Sequence, residues 1–380
     1  MSHAPIPILD LSDETEQHWQ EIQSAMAEVM LAGQFILGPA VESFEKKVAH
    51  YLGCRFAIGL NSGSDALLLG LRALEVGPGD EVITTPFTFI ATAAAISRVG
   101  ATPIFVDIDP HSLCIDPVAV QEAITPRTRA IIPVHLYGNS CDMDALMQIS
   151  ERHVIPLLED TAQAFSGEYR GKKLGTIGKL GAFSFFPSKN LGAFGDAGML
   201  VTDDEELAQK ARMLRVHGAK KKYFNEELGY NSRLDAIQAA VLQVKLNYID
   251  TSSAGRRRVA QRYHHAFQAV PEIQTIPEIR GAHHVWHQYT IQIQADREAI
   301  MHQLKEQGIS SMIYYPVPCH RLPLYQDLEL SLPIAEAAAS TVLSLPIWPT
   351  FKEDQQDRVI ETLCSALARS PRSHTKTIAA

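Results

Sequence analysis

Apolar residues recur at helical spacing across residues 14–32 (Trp19, Ile22, Met26, Val29, Met30), and Gly33 follows as a stop. Beyond it, short apolar runs alternate with amphipathic stretches. The runs predict strands at 56–60, 81–84, 102–106, 130–135 and 155–158, and the stretches between them predict helices over 64–74, 88–99 and 142–153. Such alternation calls for a mainly parallel sheet covered by helices on both faces. Residues 167–181 form a Gly- and Lys-rich excursion, and strands at 182–186 and 199–202 bracket a Gly-rich turn. A helix over 204–217, a basic loop and a helix over 233–249 complete this part.

Past Thr251 the pattern is that of a smaller α+β unit. The run Gly255-Arg256-Arg257-Arg258 opens a helix, the alternation from His287 to Ile293 predicts a strand, 311–315 is strand-like, and 354–368 closes with a helix. The expected organisation is a large domain over 1–250, N-terminal helix included, and a small C-terminal domain over 251–380 whose last residues, 370–380, are a frayed polar tail. No internal repeat or low-complexity segment interrupts it.

Composition narrows the function. At 46% hydrophobic and 20% charged residues the chain is that of a globular protein. A formal net charge of -9 argues against a general grip on nucleic acid, which needs a basic surface. The first ten residues lack a basic region leading into an apolar core, and no apolar run is long enough for a bilayer, so a cytoplasmic protein is expected. Cys54, Cys114, Cys141, Cys319 and Cys364 are scattered, odd in number and never spaced C-x-x-C, which fits reduced structural thiols. His283, His284 and His287 have a spacing that suits a metal only on a helix, and the alternation around them argues for a strand and against metal.

Three segments carry chemistry. Asn61-Ser62-Gly63-Ser64-Asp65-Ala66 sits between a strand and a helix, where exposed N–H groups and hydroxyls can cradle a phosphate; a capped helix start explains the same residues. The segment is neither a G-x-G-x-x-G fingerprint nor a P-loop. Glu159-Asp160 ends an apolar strand, on the side where parallel sheets bind ligands, although a helix cap accounts for an acid there too. Ser184 to Gly198 places one lysine, Lys189, in a glycine-rich turn with four Phe in the twelve residues 183–194. A lysine desolvated among aromatics holds a neutral, nucleophilic amine, and a solvated surface loop would not carry so many aromatics.

With Glu159-Asp160-Thr161-Ala162-Gln163, Gly229-Tyr230-Asn231-Ser232-Arg233-Leu234-Asp235 and Tyr315-Pro316-Val317-Pro318-Cys319-His320 added in order, nearly the whole chain resembles the nucleotide-sugar aminotransferases of the DegT/StrS family. The resemblance implies an α/β aspartate-aminotransferase-like architecture, fold type I, with a mixed, mainly parallel sheet, and pyridoxal 5'-phosphate as cofactor, with pyridoxamine phosphate as its aminated form. It implies that Lys189 forms the Schiff base and shuttles a proton, that Asp160 pairs with the pyridine nitrogen, and that Gln163 lies near the phenolic oxygen. Phe89 would stack on the ring, although from the residues alone an aromatic in an apolar helix fits a core position equally. Gly63, Ser64, the Asp65 backbone and Ser184 would hold the phosphate, with Asn231 reaching it from the partner subunit of a homodimer. Tyr315 and His320 are expected at the substrate. The basic residues Arg215, His217, Lys220, Lys221 and Lys222 could meet a diphosphate, or simply follow a helix C-terminus that favours cations.

The implied reaction transfers an amino group from an amino acid, by family habit L-glutamate, to a keto sugar on a nucleotide diphosphate. Dehydrating relatives carry histidine in place of the lysine, so Lys189 favours transamination. Enzymes acting at the sugar's 4-position tend to have His two residues after the serine and a Gly-Glu-Gly-Gly turn. Here Phe186 and Gly195-Asp196-Ala197-Gly198 resemble the branch aminating the 3-position. Ser188 departs from the glycine common in deoxysugar enzymes, leaving a 2-acetamido-3-keto sugar or its uronic acid open. Amination at the 4-position or of another cyclic ketone, and a catalytically silent regulatory homologue, are the alternatives.

Overall fold

The computed structural model describes residues 4–369. Seven strands form one mixed sheet: β1 (Phe56–Leu60), β2 (Glu81–Thr84), β3 (Thr102–Phe105), β4 (Thr128–Ile132), β5 (Leu158–Asp160), β6 (Leu180–Ser184) and β7 (Gly198–Thr202). Their spatial order is β1-β7-β6-β5-β4-β2-β3, with β4 and β5 joined through the parallel bridges Ile131–Leu157 and Val134–Asp160. Only β7 runs against its neighbours. The strands are buried almost throughout, as a sheet covered on both faces requires.

Helix α1 (Ser12–Ala32) ends where Gly33 adopts φ 67, and α2 (Pro39–Leu52) follows. The large sheet is covered further by α3 (Gly63–Ala73), α4 (Ala91–Arg98), α5 (Pro117–Glu122), α6 (Met143–His153), α7 (Glu205–Leu214) and α8 (Ala236–Leu246). Side chains at Ser62, Asp116, Asp142 and Asp204 accept first-turn N–H groups, which fixes where α3, α5, α6 and α7 begin. The C-terminal part has α9 (Ile249–Phe267), α10 (Arg297–Glu306), α11 (Pro333–Thr341), α12 (Glu353–Arg369) and an antiparallel sheet of β8 (Ile273–Thr275), β9 (Tyr289–Ile293) and β10 (Val342–Leu345). Ile6 is buried in the cluster beneath this small sheet, with Tyr263, Tyr289 and Leu363.

Several elements differ from the sequence reading, each for a tertiary reason. α4 starts at Ala91 rather than 88, because the preceding loop is held from outside: Cys319 N–H donates to Pro86 O at 2.8 Å. The strand expected at 155–158 is Leu158–Asp160, because Val154 turns left-handed (φ 56) and Ile155 N–H is used to close α6 on Ser150 O. α8 begins at Ala236, whose N–H donates to Phe35 O, and Gly255-Arg256-Arg257-Arg258 lies inside α9 instead of opening a helix. Gly255 is tolerated there because a Cβ would fall 2.5 Å from Pro349 O. Residues 311–315 make a single bridge, Met312 to Ser344, and His287 precedes its strand, which starts at Tyr289. α2 has no counterpart among the expected helices, although Val41, Phe44, Val48 and Leu52 repeat at helical spacing after Gly38-Pro39. The tail 370–380 lies outside the described residues. All five cysteines are free, and among the described residues no helix is long and apolar enough to cross a membrane.

Candidate active site

Two backbone junctions build one end of a cavity of ≈ 500 Å³. The N-terminus of α3 abuts the ends of β6 and β7 so closely that a Cβ on Gly63 would lie 2.6 Å from Ser184 Cβ, and one on Gly198 2.2 Å from Ser62 C. Glycine at both positions lets helix and strands touch, bringing the Ser184 hydroxyl beside a helix N-terminus whose N–H groups point outward. Ser62, Gly63, Ser64 and Ser184 line the cavity. Such an end receives an anion.

Asp160, the last residue of β5, lies on the same cavity and is buried. Thr92 Oγ1 donates to its Oδ2 at 2.7 Å and Ala162 N–H to its Oδ1 at 3.2 Å. Burial pushes its carboxyl up from the ordinary value, while these two donors and the charges of Lys189 and His135 oppose the rise. Beneath it, Glu159 is fully buried and accepts N–H groups from Gly175, Ile177 and Gly178. Cys141 N–H donates to His135 Nδ1 at 3.1 Å, so it is Nε2 of that ring that carries the proton to Glu159 at 2.9 Å.

Lys189 follows the turn after β6 and opens onto the same cavity as Asp160. Desolvation holds its amine down at about 8, against the attraction of Asp160. A lysine so placed has a substantial neutral fraction near neutrality, the form that attacks a carbonyl. Gln163 is held from both ends: its Oε1 accepts from Tyr137 N–H at 2.8 Å and its Nε2 donates to Tyr315 OH at 2.8 Å. Burial raises the Tyr315 phenol, keeping it protonated.

Phe89 lines the cavity mouth and is 59% exposed, so it is no core residue. Within this chain the remaining expected residues stand apart. Asp65 is outside the lining, its N–H donating to Ser62 Oγ at 3.1 Å. Asn231 is exposed on the chain surface, bridged to Val216. His320 is buried with its Nε2 3.0 Å from Glu336 Oε1, away from the cavity. Arg215 leaves the basic loop altogether: its guanidinium is buried against Glu45 and the Gly59 carbonyl. The cavity also gathers residues the sequence reading did not assign, among them Thr92, Asp196, His287, Tyr314 and the N-terminal pair Ile8 and Leu9.

A cavity with an anion-binding helix end, a carboxylate and a lowered lysine fits pyridoxal phosphate end to end: phosphate, ring nitrogen and aldehyde each have a chemically matched group. The comparisons agree. The model of the DegT/DnrJ/EryC1/StrS aminotransferase family matches residues 16–364. A pleiotropic regulatory protein of Geobacillus stearothermophilus is 49% identical over 94% of this chain and 97% of its own. A UDP-N-acetyl-3-dehydro-alpha-D-glucosamine 3-aminotransferase of Acidithiobacillus ferrooxidans is 45% identical over 93% and 96%. A dTDP-3-amino-3,4,6-trideoxy-alpha-D-glucose transaminase of Streptomyces venezuelae is 44% identical over 94% and 95%. The crystal structure of S. venezuelae DesV in complex with a ketimine intermediate superposes with a TM-score of 0.94 at 43% identity, covering 97% of this chain and 100% of that one. The chain is thus an aminotransferase and belongs to the DegT/DnrJ/EryC1/StrS aminotransferase family.

Proposed function

We propose that this protein transfers the amino group of L-glutamate to the 3-keto carbon of a sugar carried on a nucleotide diphosphate. The observation that carries the reading is the convergence of Lys189, Asp160 and the α3 N-terminus on one cavity. The 3-position draws support from the Phe186 and Gly195-Asp196-Ala197-Gly198 pattern, and from two relatives whose names place their chemistry there.

Gly63, Ser64 and Ser184 would hold the cofactor's phosphate, the Asp65 N–H remaining on Ser62 Oγ, while Asp160 would meet its pyridine nitrogen, Gln163 its phenolic oxygen, and Phe89 the face of its ring. Asn231 would reach the same phosphate from the partner subunit of a homodimer, consistent with its exposure on this chain. Pyridoxal phosphate, when bound, supplies an aldehyde for the donor's nitrogen and a ring that accepts the electrons left when the α-proton departs. Lys189 Nζ is the nucleophile that anchors the cofactor, and once released it is the base that takes the α-proton and the acid that returns it. The Asp160 carboxylate, held by Thr92, would keep a proton on the ring nitrogen when the cofactor is bound. Tyr315, fixed by Gln163, borders the space left for the sugar. His320 stands outside this cavity, against Glu336.

The test is amination of 3-keto sugars generated in situ from UDP- and dTDP-linked precursors, with glutamate as donor, followed by the mass of the product. Conversion of a 3-keto substrate is the expected result. Turnover of 4-keto sugars alone would refute the position, and no turnover of any keto sugar would refute the substrate class. Borohydride reduction with pyridoxal phosphate should label Lys189, and labelling elsewhere would remove its role.

A further inference from the structure

The N-terminal segment is fastened at both ends and meets the cavity in between. At one end Ile6 pairs with Ile309: Ile6 N–H donates to Gly308 O at 2.8 Å and Ser310 N–H to Ile6 O at 2.9 Å, and the Ile6 side chain is fully buried. At the other end Thr350 Oγ1 donates to Asp13 Oδ2 at 2.8 Å, and Glu14 Oε2 lies 3.1 Å from the buried ammonium of Lys245 on α8. Ile8 and Leu9 lie between these fastenings, and both line the cavity.

Two chains of contacts fix this segment relative to the reacting amine. Lys245 also donates to Gly192 O at 2.9 Å, in the turn that carries Lys189. On the other side Ile347 N–H donates to Ile8 O at 3.2 Å, and the buried Arg256 reaches the carbonyls of Ile347 and His287, each at 3.3 Å. Asn190, the residue after Lys189, meets His287 Nδ1 at 3.2 Å. What the segment presents there is aliphatic. Ile8 and Leu9 join Leu345 and Ile347 in the lining, and of these four only Ile8 and Leu9 are half-buried, the other two being covered. A side chain needed only to seal the small sheet would be covered as Ile6 is. An aliphatic surface left open beside a reacting centre is stabilised when an apolar group of the substrate covers it.

We propose that Ile8 and Leu9 are specificity-determining residues for the sugar and form a seat for a methyl group of the substrate. Two positions on a hexose can supply that methyl: C6 of a 6-deoxy sugar, or the acetyl group of a 2-acetamido sugar. A hydroxyl in the same place would lose its water and gain no partner on an aliphatic surface. No bond is made or broken at the seat. The idea rests on the amination of a 3-keto sugar proposed above, and its assay separates the two.

The test is kcat/KM on the 3-keto forms of 6-deoxyglucose, N-acetylglucosamine and glucose, all on the same nucleotide diphosphate; the glucose form carries neither methyl. One methyl-bearing sugar should exceed the glucose form by roughly tenfold or more, and which of the two does so identifies the source of the methyl. Ile8→Thr and Leu9→Asn place a polar group in the wall at similar volume and should cut that ratio to about threefold or less, whereas Leu9→Met should keep it. Conversion of the bound cofactor by glutamate alone, followed by absorbance, should stay within about twofold of wild type in every variant, which a general loosening of the site would not allow. Leu9 also packs on the cluster beneath the small sheet, so Ile8→Thr carries the test if Leu9→Asn does not fold. Equal kcat/KM for the three sugars, or a wild-type ratio in Ile8→Thr, overturns the proposal and leaves amination intact. Turnover of none of the three overturns the reading beneath it, and the proposal with it.

Discussion

The hydroxyl of Thr92 donates to the carboxylate of Asp160 at 2.7 Å, from the first turn of α4 to the last residue of β5. It is the first of the forces opposing the upward push that burial exerts on Asp160. Thr92→Val keeps the side chain's shape and removes the donor. The carboxyl should then protonate at higher pH and move the acid limb of kcat/KM upward. A hydrogen bond to a charged group is worth about 1.5–3 kcal/mol, so activity at neutral pH should fall on the order of tenfold or more. An unshifted acid limb in a pH–rate profile would show that Thr92 does not govern the ionisation of Asp160.

Lys189 gives stability a pH dependence of definite sign. Its amine titrates at about 8 in the folded chain against an ordinary value of 10.5, so between those two values the unfolded chain binds the extra proton. Stability of the cofactor-free protein attributable to this group therefore rises with pH across that window, and the cost of burying the ammonium is fully present below it. Lys189→Met removes that cost. Its melting temperature should exceed wild type at pH 7 in the absence of cofactor, and the advantage should shrink as the pH passes 8. Thermal melts of both proteins from pH 7 to pH 10 measure this directly.

The central residues were legible because they are local: Lys189 sits in an unusual stretch of glycine and phenylalanine, and Asp160 ends an apolar run. Gly63 and Ser184 were reached through ordered motifs, and their contact depends on a β6–α3 junction with no trace in residue spacing. His287 shows the limit most clearly. Its alternation with Tyr289, Ile291 and Ile293 extends the strand pattern, but Trp286, Gly138 and Arg256 turn it out of the strand and into the cavity. Ile8 and Leu9 arrive from the far end of the chain, carried by the pairing of Ile6 with Ile309, a contact that composition cannot signal. Arg215 was grouped with surface cations by proximity in sequence, whereas its partner is Glu45.

That pair supports a prediction about stability without catalysis. Glu45 Oε1 accepts both the Arg215 guanidinium and the Gly59 N–H at 2.8 Å, tying α2, β1 and the end of α7 together in a buried place. Arg215→Met leaves the carboxylate buried without its cation, a change that costs about 3–5 kcal/mol. The denaturant midpoint should drop accordingly. The double variant Arg215→Met with Glu45→Met should recover much of the loss, because no buried charge is then stranded. A single variant as stable as wild type would mean the pair is solvated in solution.

The junction of Gly63 with Ser184 ties fold to cofactor affinity. A methyl on residue 63 would sit 2.6 Å from Ser184 Cβ and 3.0 Å from its Cα, closer than side chains pack, so Gly63→Ala must push the start of α3 away from β6. The helix can form regardless, since Ser62 still caps it through Asp65 N–H. What is lost is the alignment of its N-terminus with the Ser184 hydroxyl. Far-UV circular dichroism should therefore stay close to wild type while pyridoxal phosphate binds on the order of tenfold or more weakly, since about 1.4 kcal/mol of lost contact suffices for that. Adding Ser184→Gly relieves the clash but removes the hydroxyl, so the double variant should regain thermal stability and not affinity. Full recovery of affinity in the double variant would show that the helix end alone holds the phosphate.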